Sequence, residues 1–496
     1  MALLTPPGRD LLHPCLSVSV KKIYRFMLIL YINVVFFGAV PFNNPIPTKS
    51  LNMDINRRNF LRKTAAASAG IGLATVIPSG VWAARVAPSD RINIAVIGCR
   101  NFGFKILRDH LDNEDTRCVA MCDVDEGVLN ERAETIRKEY NQQPTLYSDF
   151  RKMLEQSDID AVIIGTPDHW HCLNMVYCLQ AGKDVYIEKP LANTIGECNI
   201  MVSAADRYNQ IVQVGQQQRS NRAFRESIGL VRNGSLGKLR KVKIWGNFNY
   251  GLGTPFRDDE PVPEGVDYNM WLGPAPERPF NRSRFHGSWR HYWDYGGGLM
   301  SDWGVHLIDM GLWVNDLIDA PEEVMTFATN NSGQQRQRET FDTMTVVYPK
   351  KDYVISWEMT AGIQSGPWGK SYGVAFICDN GTVITDRHGY RVIPEWDGGT
   401  QSHKADATEI SGIREAHPYH VRNFLDCIKS REKPVCPPST ARAAAIHVHV
   451  PNIAARTGES LLVWDDVNSR FTNSDKANEL VTPSYRAPWK LPEITR

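Results

Sequence analysis

Lys189 follows a short apolar run. Asp184-Val185-Tyr186-Ile187 reads as a buried strand, and Glu188, Lys189 and Pro190 stand where that strand must emerge. In an open parallel sheet, ligands gather at the carboxyl ends of the strands. A lysine fixed there can donate to a cofactor hydroxyl and a substrate hydroxyl together. Taken alone, the tripeptide reads more readily as a surface Glu–Lys pair before a turn proline. A second group of chemically able residues lies downstream. After Gly296-Gly297-Gly298, a helix is predicted from about Ser301 to Val314, with Trp303, Leu307, Met310 and Val314 as its apolar stripe. Asp302, His306 and Asp309 fall along a neighbouring stripe, at i, i+4 and i+7. A carboxylate one turn from a histidine can orient the imidazole and raise its basicity. The competing reading is a structural polar face beneath the glycine loop.

The elements that must position these residues begin with a nucleotide-binding pattern. Arg91 to Ile97 is a β-rich run that ends at Gly98. A G-x-G-x-x-G fingerprint would place glycines at 98, 100 and 103; the residues are Gly98, Arg100 and Gly103, with Asn101 and Phe102 between. The first glycine serves the tight turn and the third the close packing of helix on strand. Arg100 departs from the rule, and its guanidinium can contact phosphate instead. Phe104 to Leu111 reads as the next helix, and Arg117 to Cys122 as a second strand ending at Asp123. Asp123 lies 20 residues after Gly103, where an acid grips the adenosine ribose and repels a 2′-phosphate. NAD is therefore favoured over NADP, the competing role for Asp123 being a helix cap. Further strands at 161–165, 184–187 and 210–215 alternate with helices at about 172–181 and 195–208, which predicts a doubly wound parallel sheet.

A second α/β region follows. Leu239 to Phe248 reads as a strand, and an irregular segment runs from Asn249 to Gly297. It holds Trp271, Trp289, Tyr292, Trp293 and Tyr295, which either stack on sugar rings or fill a satellite core. Trp289 is the candidate among them for substrate. Strands are predicted near 324–328, 343–348, 353–359 and 373–377, with a hairpin at Asp379-Asn380-Gly381. Helices are predicted at 417–430 and 440–457, the first bringing His417 and His420 as weaker candidates for substrate. The tail from Trp464 has little periodicity and wraps either the body or a partner.

With 496 residues, 42% hydrophobic, 22% charged and a net charge of +1, the composition is that of a two-domain globular chain. The charge gives no support for a nucleic-acid partner. The 10 cysteines include no Cys-x-x-Cys pair and no spacing typical of zinc, so no metal is expected. Phe26 to Phe42 is an apolar run flanked by Lys21, Lys22 and Arg25, a little short for a membrane span. Asn56 to Lys63 carries Arg57-Arg58 ahead of a small apolar stretch and Val81-Trp82-Ala83, and resembles a twin-arginine export signal. The expected organisation is an upstream extension or anchor over 1–52, a signal over 53–84, a dinucleotide domain over 91–220, a substrate and oligomerisation domain over 221–460, and a tail over 461–496. The mature protein is expected in the periplasm without stable membrane insertion. The rival reading is a basic linker after a real anchor helix.

Thr166-Pro167 with His171, then Glu188-Lys189-Pro190, then Gly215 with Gln217 and Arg219, together resemble the glucose–fructose oxidoreductase / inositol dehydrogenase family (Gfo/Idh/MocA). The likeness runs from about Arg91 to the C-terminus, and Tyr485 to Trp489 resembles a secreted bacterial branch. The resemblance implies a Rossmann domain, an α/β domain with an open, largely antiparallel sheet, a nicotinamide cofactor, a sugar or polyol substrate and a homo-oligomer. It implies cofactor contacts from Thr166, Pro167, His171, Glu188, Lys189, Pro190 and Gln217. It assigns His306 as general base, Lys189 as the group holding the substrate hydroxyl and a cofactor ribose, and Asp302 as a group positioning substrate or His306, with Arg219 also on the substrate. An exported enzyme meets little free NAD. A bound cofactor recycled in place by two substrates, or redox-neutral glycoside cleavage or epimerisation through a transient keto-sugar, both avoid that problem. A non-catalytic sugar- and NAD-binding protein is the rival class.

Overall fold

The computed structural model describes residues 91–494 apart from 334 and 415. The apolar run at 26–42 and the Arg57-Arg58 signal lie outside the described residues.

Six strands, β1 (Ile92–Ile97), β2 (Thr116–Cys122), β3 (Thr145–Tyr147), β4 (Ala161–Ile164), β5 (Asp184–Ile187) and β6 (Val212–Val214), pair in parallel in the order β3-β2-β1-β4-β5-β6. This is the doubly wound order of a dinucleotide fold. The central strands are buried along their whole length because helices cover both faces, which is why they read as unbroken apolar runs. Alternate residues serve the two faces. Ala95, Ile97, Val162, Ile164, Val185 and Ile187 pack with the helices His171–Gln180 and Ile195–Tyr208. Ile94, Val96, Ile163 and Tyr186 pack with the helix Asn101–Leu111 and, from far along the chain, with Val421, Phe424 and Leu425 of the helix His417–Ser430. That last helix belongs by sequence to the second domain and by packing to the first. His420, a candidate for substrate, is buried there: its Nε2 faces the Val214 carbonyl at 3.0 Å and its Nδ1 faces Ser220 Oγ at 2.9 Å.

The second sheet has ten strands. They are β7 (Leu239–Phe248), β8 (Glu323–Thr329), β9 (Thr343–Pro349), β10 (Val354–Ala361), β11 (Tyr372–Cys378), β12 (Gly381–Asp386), β13 (Gly389–Pro394), β16 (Thr408–Ile410), β17 (Leu461–Asp465) and β18 (Arg470–Phe471). A separate pair, β14 (Trp396–Asp397) with β15 (Ser402–His403), stands apart. The sheet order is β16-β13-β12-β11-β7-β10-β9-β8-β17-β18, antiparallel throughout except where β10 runs parallel to β7. One face buries against the helices Arg222–Arg232, Val305–Trp313 and Pro438–Thr457. The other is open, so β8 alternates between buried and exposed residues as a one-sided strand must.

One local expectation is revised and two that were open are decided. The helix expected from Ser301 opens as a π turn over Met300–Gly304 before the α-helix Val305–Trp313 begins. The aromatics of the 249–297 segment form a satellite core: Tyr268, Trp271, Phe280, Phe285, Trp289, Tyr292 and Tyr295 bury one another. The C-terminal segment is not a featureless tail. β17 extends the large sheet, and the chain then returns to the first domain, where Trp489 meets Trp170 edge-on at 4.9 Å and Tyr485 donates to Glu197 at 2.6 Å.

Candidate active site

A cleft of about 420 Å³ opens at the carboxyl ends of β1, β4 and β5 and is closed on its far side by the π turn. At one end three glycine backbones are in contact. Gly98 has φ +87°, and a Cβ on it would lie 2.8 Å from the Gly165 carbonyl; one on Gly103 would lie 2.0 Å from the Gly98 oxygen. Arg100 occupies the residue before the helix with φ −91° and ψ 153°, an ordinary extended conformation open to any side chain. The missing second glycine is thereby accounted for, and no side chain caps that helix terminus. Arg100, Asn101 and Phe102 line the cleft beside it. An uncapped helix N-terminus with backbone N–H groups directed at a cavity is suited to a pyrophosphate. Asp123, at the end of β2, is half-buried and accepts from the Cys99 N–H at 2.6 Å and the Asp125 N–H at 3.0 Å. It holds the turn, and it also lines the cleft.

A dinucleotide fits this end on the structure's own terms. The Gly98–Gly103–Gly165 cradle admits no Cβ, and among the described residues the buried Thr166 hydroxyl and Glu188 Oε1 find no protein partner. Gly103→Ala places a methyl against a backbone carbonyl. At about 1–3 kcal/mol for such overpacking, cofactor affinity measured by titration calorimetry is expected to fall about tenfold or more.

The loops after β4 and β5 are joined by His171. Its Nδ1 faces the Pro190 carbonyl at 2.8 Å and its Nε2 the Thr166 carbonyl at 3.1 Å. Burial pushes its pKa down to about 4, so the neutral ring donates to one carbonyl at a time. His171 braces Thr166 and Pro190 from behind and does not itself line the cleft, whereas Thr166, Pro167, Glu188, Lys189 and Gln217 do. Pro190 follows a cis peptide bond and offers its carbonyl to that brace. Glu188 is buried above Gly215, and its burial raises its pKa to about 7.

Lys189 Nζ donates to Asp302 Oδ1 at 2.6 Å and to the Asp302 carbonyl at 2.9 Å. A π turn shifts the backbone register by one residue, and here the Asp302 carbonyl accepts from a side chain across the cleft. Arg290 Nε donates to the same Oδ1 at 3.2 Å. Burial alone would raise the Asp302 pKa, but the Lys189 and Arg290 charges outweigh it and hold the carboxyl well below the usual range. The i, i+4 pairing of Asp302 with His306 expected from the helical pattern is therefore replaced. Asp302 is committed to two cations, and the ring of His306 faces Gln218 instead. Burial, then Lys189 and Arg387, push the His306 pKa well below 6.5, so the ring is neutral at physiological pH.

Arg219, assigned above to substrate, is placed elsewhere. It is buried and forms a forked pair with Asp309 at 2.6, 2.9 and 3.1 Å, and it is not among the residues lining the cleft. The role of Asp309, open from the sequence, is to receive this guanidinium. Trp289 belongs to the satellite core and also lines the cleft, with the Arg290 guanidinium 4.3 Å above its ring.

Among the lining residues that the sequence reading did not assign to the site are Asp168, Arg290, Trp303 and Arg387. Asp168 stands directly after Thr166-Pro167, and its place at a strand end was the available signal. Arg290 sits in a segment without periodicity, and Arg387 in the tight turn between β12 and β13. Burial pushes the Asp168 pKa up to about 8, against the opposing charges of Arg290 and Lys189. A carboxyl with a raised folded pKa favours folding at low pH, and that contribution is lost as pH climbs from about 4 towards 8. Asp168→Asn is expected to stabilise the cofactor-free protein by about 1 kcal/mol or more at pH 7.5 and to change nothing at pH 4. Thermal denaturation at the two pH values checks this.

Residues 92–216 match the model of the NAD-binding Rossmann fold of the GFO_IDH_MocA oxidoreductase family, and residues 223–349 and 402–491 match the model of its C-terminal alpha/beta domain. Among curated proteins, the chain is 29% identical over 205 residues to a glycosyl hydrolase family 109 protein of Shewanella baltica, over 38% of this chain and 44% of that protein. The chain thus spans less than half the length of the curated relatives it matches. Among solved structures it resembles an aldose-aldose oxidoreductase from Caulobacter crescentus complexed with glycerol, with a TM-score of 0.57 and 17% identity over 75% of this chain and 99% of that one. It also resembles the WlbA dehydrogenase from Bordetella pertussis in complex with NADH and UDP-GlcNAcA, with a TM-score of 0.55 and 18% identity over 76% and 99%. At these identities the likeness to the solved structures is one of fold. With a Rossmann sheet and a largely antiparallel α/β domain, each matched by its own family model, the chain belongs to the Gfo/Idh/MocA oxidoreductase family.

Proposed function

We propose that this protein is an NAD-dependent oxidoreductase acting on a hydroxyl of a sugar, polyol or sugar derivative. The observation that carries the proposal is the Lys189–Asp302 pair, set at the end of β5 in the same cleft as the Gly98–Gly103–Gly165 cradle. The nicotinamide, when bound, supplies the hydride acceptor. The uncapped helix terminus at Asn101 receives the pyrophosphate, Asp123 accepts from the ribose hydroxyls and disfavours a 2′-phosphate, and the Thr166 hydroxyl and Glu188 gain partners. Lys189 has one N–H left after its two bonds to Asp302, and it donates that N–H to the substrate oxygen. As the carbon gives up its hydride, the substrate hydroxyl loses its proton to water at the open mouth of the cleft, and the ammonium, held between Asp302 and the substrate, stabilises the negative charge that develops on that oxygen. Trp289 and Arg290 form the wall against which a sugar ring lies.

The relatives in glycosyl hydrolase family 109 favour a second reading, redox-neutral glycoside cleavage. In it a sugar hydroxyl is oxidised transiently, the acidified neighbouring C–H allows elimination, and the ketone is then reduced back. Export by the Arg57-Arg58 signal to the periplasm is part of the proposal, because a compartment with little free NAD calls for a cofactor recycled in place. No helix among the described residues is long and apolar enough to cross a membrane. Pairing of two copies through the open sheet face, where Met325, Phe327 and Leu461 are exposed, is the oligomer we propose.

The deciding experiment uses protein purified without its signal. Its absorbance is recorded as isolated, then during titration with sugars and glycosides. Reduction of the nicotinamide band by one sugar and reoxidation by another compound supports the first reading. Glycoside cleavage without net reduction supports the second. Binding of NAD and sugar with no hydride transfer or cleavage moves the protein to the class of non-catalytic binding proteins.

A further inference from the structure

Gln218 lies just behind the cleft wall, on the short turn Gln217–Ser220 after β6, and it is 1% exposed. It stands between Arg387 and His306. An arginine side chain has donors only, so the amide oxygen of Gln218 must face Arg387. It accepts from Nη2 at 2.9 Å and from Nε at 3.2 Å. The amide nitrogen is then left to donate to His306 Nδ1 at 2.9 Å. Arg387 is itself fixed from two sides. Its guanidinium lies 4.4 Å from the centre of the Trp303 ring, and its carbonyl accepts from Asn221 Nδ2 at 3.1 Å. The order of donors and acceptors along this chain is set by the one group that cannot reverse.

A neutral imidazole that accepts at Nδ1 carries its proton on Nε2. We infer that Arg387 and Gln218 lock His306 in the Nε2-protonated tautomer, so that the ring meets a substrate oxygen as a hydrogen-bond donor. The inference rests on the sugar-oxidising reading of the cleft only for the identity of that oxygen. It makes His306 and Lys189 two donors in one cavity, both suited to a substrate oxygen that gains negative charge. The role implied by family resemblance, proton acceptance at Nε2, requires the other tautomer. That tautomer would set an Nδ1–H against the Gln218 NH₂, donor against donor. Gln218 and Arg387 are positioning residues in this arrangement, acting through His306.

The test is the ¹⁵N spectrum of the full chain labelled in its histidine rings, at neutral pH without cofactor, with the His306 signals identified by their loss in His306→Asn. The expected result is an unprotonated Nδ1 and a protonated Nε2, which differ widely in ¹⁵N shift. A protonated Nδ1 in the wild-type protein overturns the inference. Gln218→Glu supplies a carboxylate that accepts from Arg387 and from Nδ1–H at once, so the proton is expected to move to Nδ1. A Gln218→Glu spectrum with the wild-type pattern also overturns the inference. Should that variant not fold, Arg387→Met frees the amide to rotate and is expected to give both tautomers, and an unchanged pattern there rejects the relay. NAD titration of the same wild-type sample separates the two questions. No NAD binding with a protonated Nε2 rejects the oxidoreductase reading and keeps the tautomer; NAD binding with a protonated Nδ1 does the reverse.

Discussion

Lys189→Ala is expected to lower turnover about a thousandfold, in the range for loss of a positioned proton-handling or charge-stabilising group. The side chain makes two bonds to Asp302, and its remaining N–H is the one directed to substrate in the proposed complex. Removing it takes away the donor to the reacting oxygen and also the stronger of the two attractions that keep Asp302 ionised. The fold is expected to survive, because Arg290 still reaches the Asp302 carboxylate at 3.2 Å. Lys189→Arg is not expected to rescue activity, since a planar fork cannot place one N–H on the carbonyl, one on the carboxylate and one on the substrate as an ammonium does. Single-turnover reduction of the nicotinamide measures the loss, and NAD affinity and melting temperature are followed alongside. Wild-type turnover in Lys189→Ala would remove Lys189 from the chemistry and take the proposed function with it.

Asp309→Ala has the largest expected effect on stability. Asp309 and Arg219 are both buried, joined by three contacts of 2.6 to 3.1 Å, and the Gln216 amide adds a further donor to Asp309 at 3.3 Å. Deleting the carboxylate leaves a guanidinium in the interior without a counter-charge, a change that costs about 3–5 kcal/mol. The double replacement Asp309→Leu with Arg219→Met removes both charges and keeps the volume, so most of the loss is expected to return. Denaturant unfolding of the single and double variants measures this. The same variants separate a structural Arg219 from a substrate-binding one. The double variant is expected to keep the substrate KM of the wild type, and a large rise in KM with normal stability would put Arg219 back in the substrate site.

Much of the nucleotide half was legible because its signals are local. Buried parallel strands must be apolar along their whole length, so β1, β4 and β5 stand out as uninterrupted runs. Gly98 and Gly103 are glycines because a Cβ there would meet backbone, and Glu188-Lys189-Pro190 is adjacent in sequence because one strand end carries all three. The partners of these side chains were not legible. Lys189 reaches Asp302 across 113 residues, and Arg219 reaches Asp309 across 90. Helical spacing placed Asp302 beside His306, but spacing describes only neighbours on one element. Two cations arriving from other elements outcompete a neutral ring for a buried carboxylate, and the π turn opens its carbonyl to one of them. The aromatics of residues 249–297 were balanced between sugar stacking and a satellite core, and mutual burial decided for the core while leaving Trp289 at the cleft edge. Residue types and local periodicity thus determined the Rossmann half, the glycine cradle and the lysine at the strand end. Tertiary structure alone decided which carboxylate each cation meets, that the helix His417–Ser430 completes the first domain, and that Gln218 faces His306. Burial and hydrogen-bond partners depend on whatever distant chain segment closes over a side chain, and no pattern along the sequence records that.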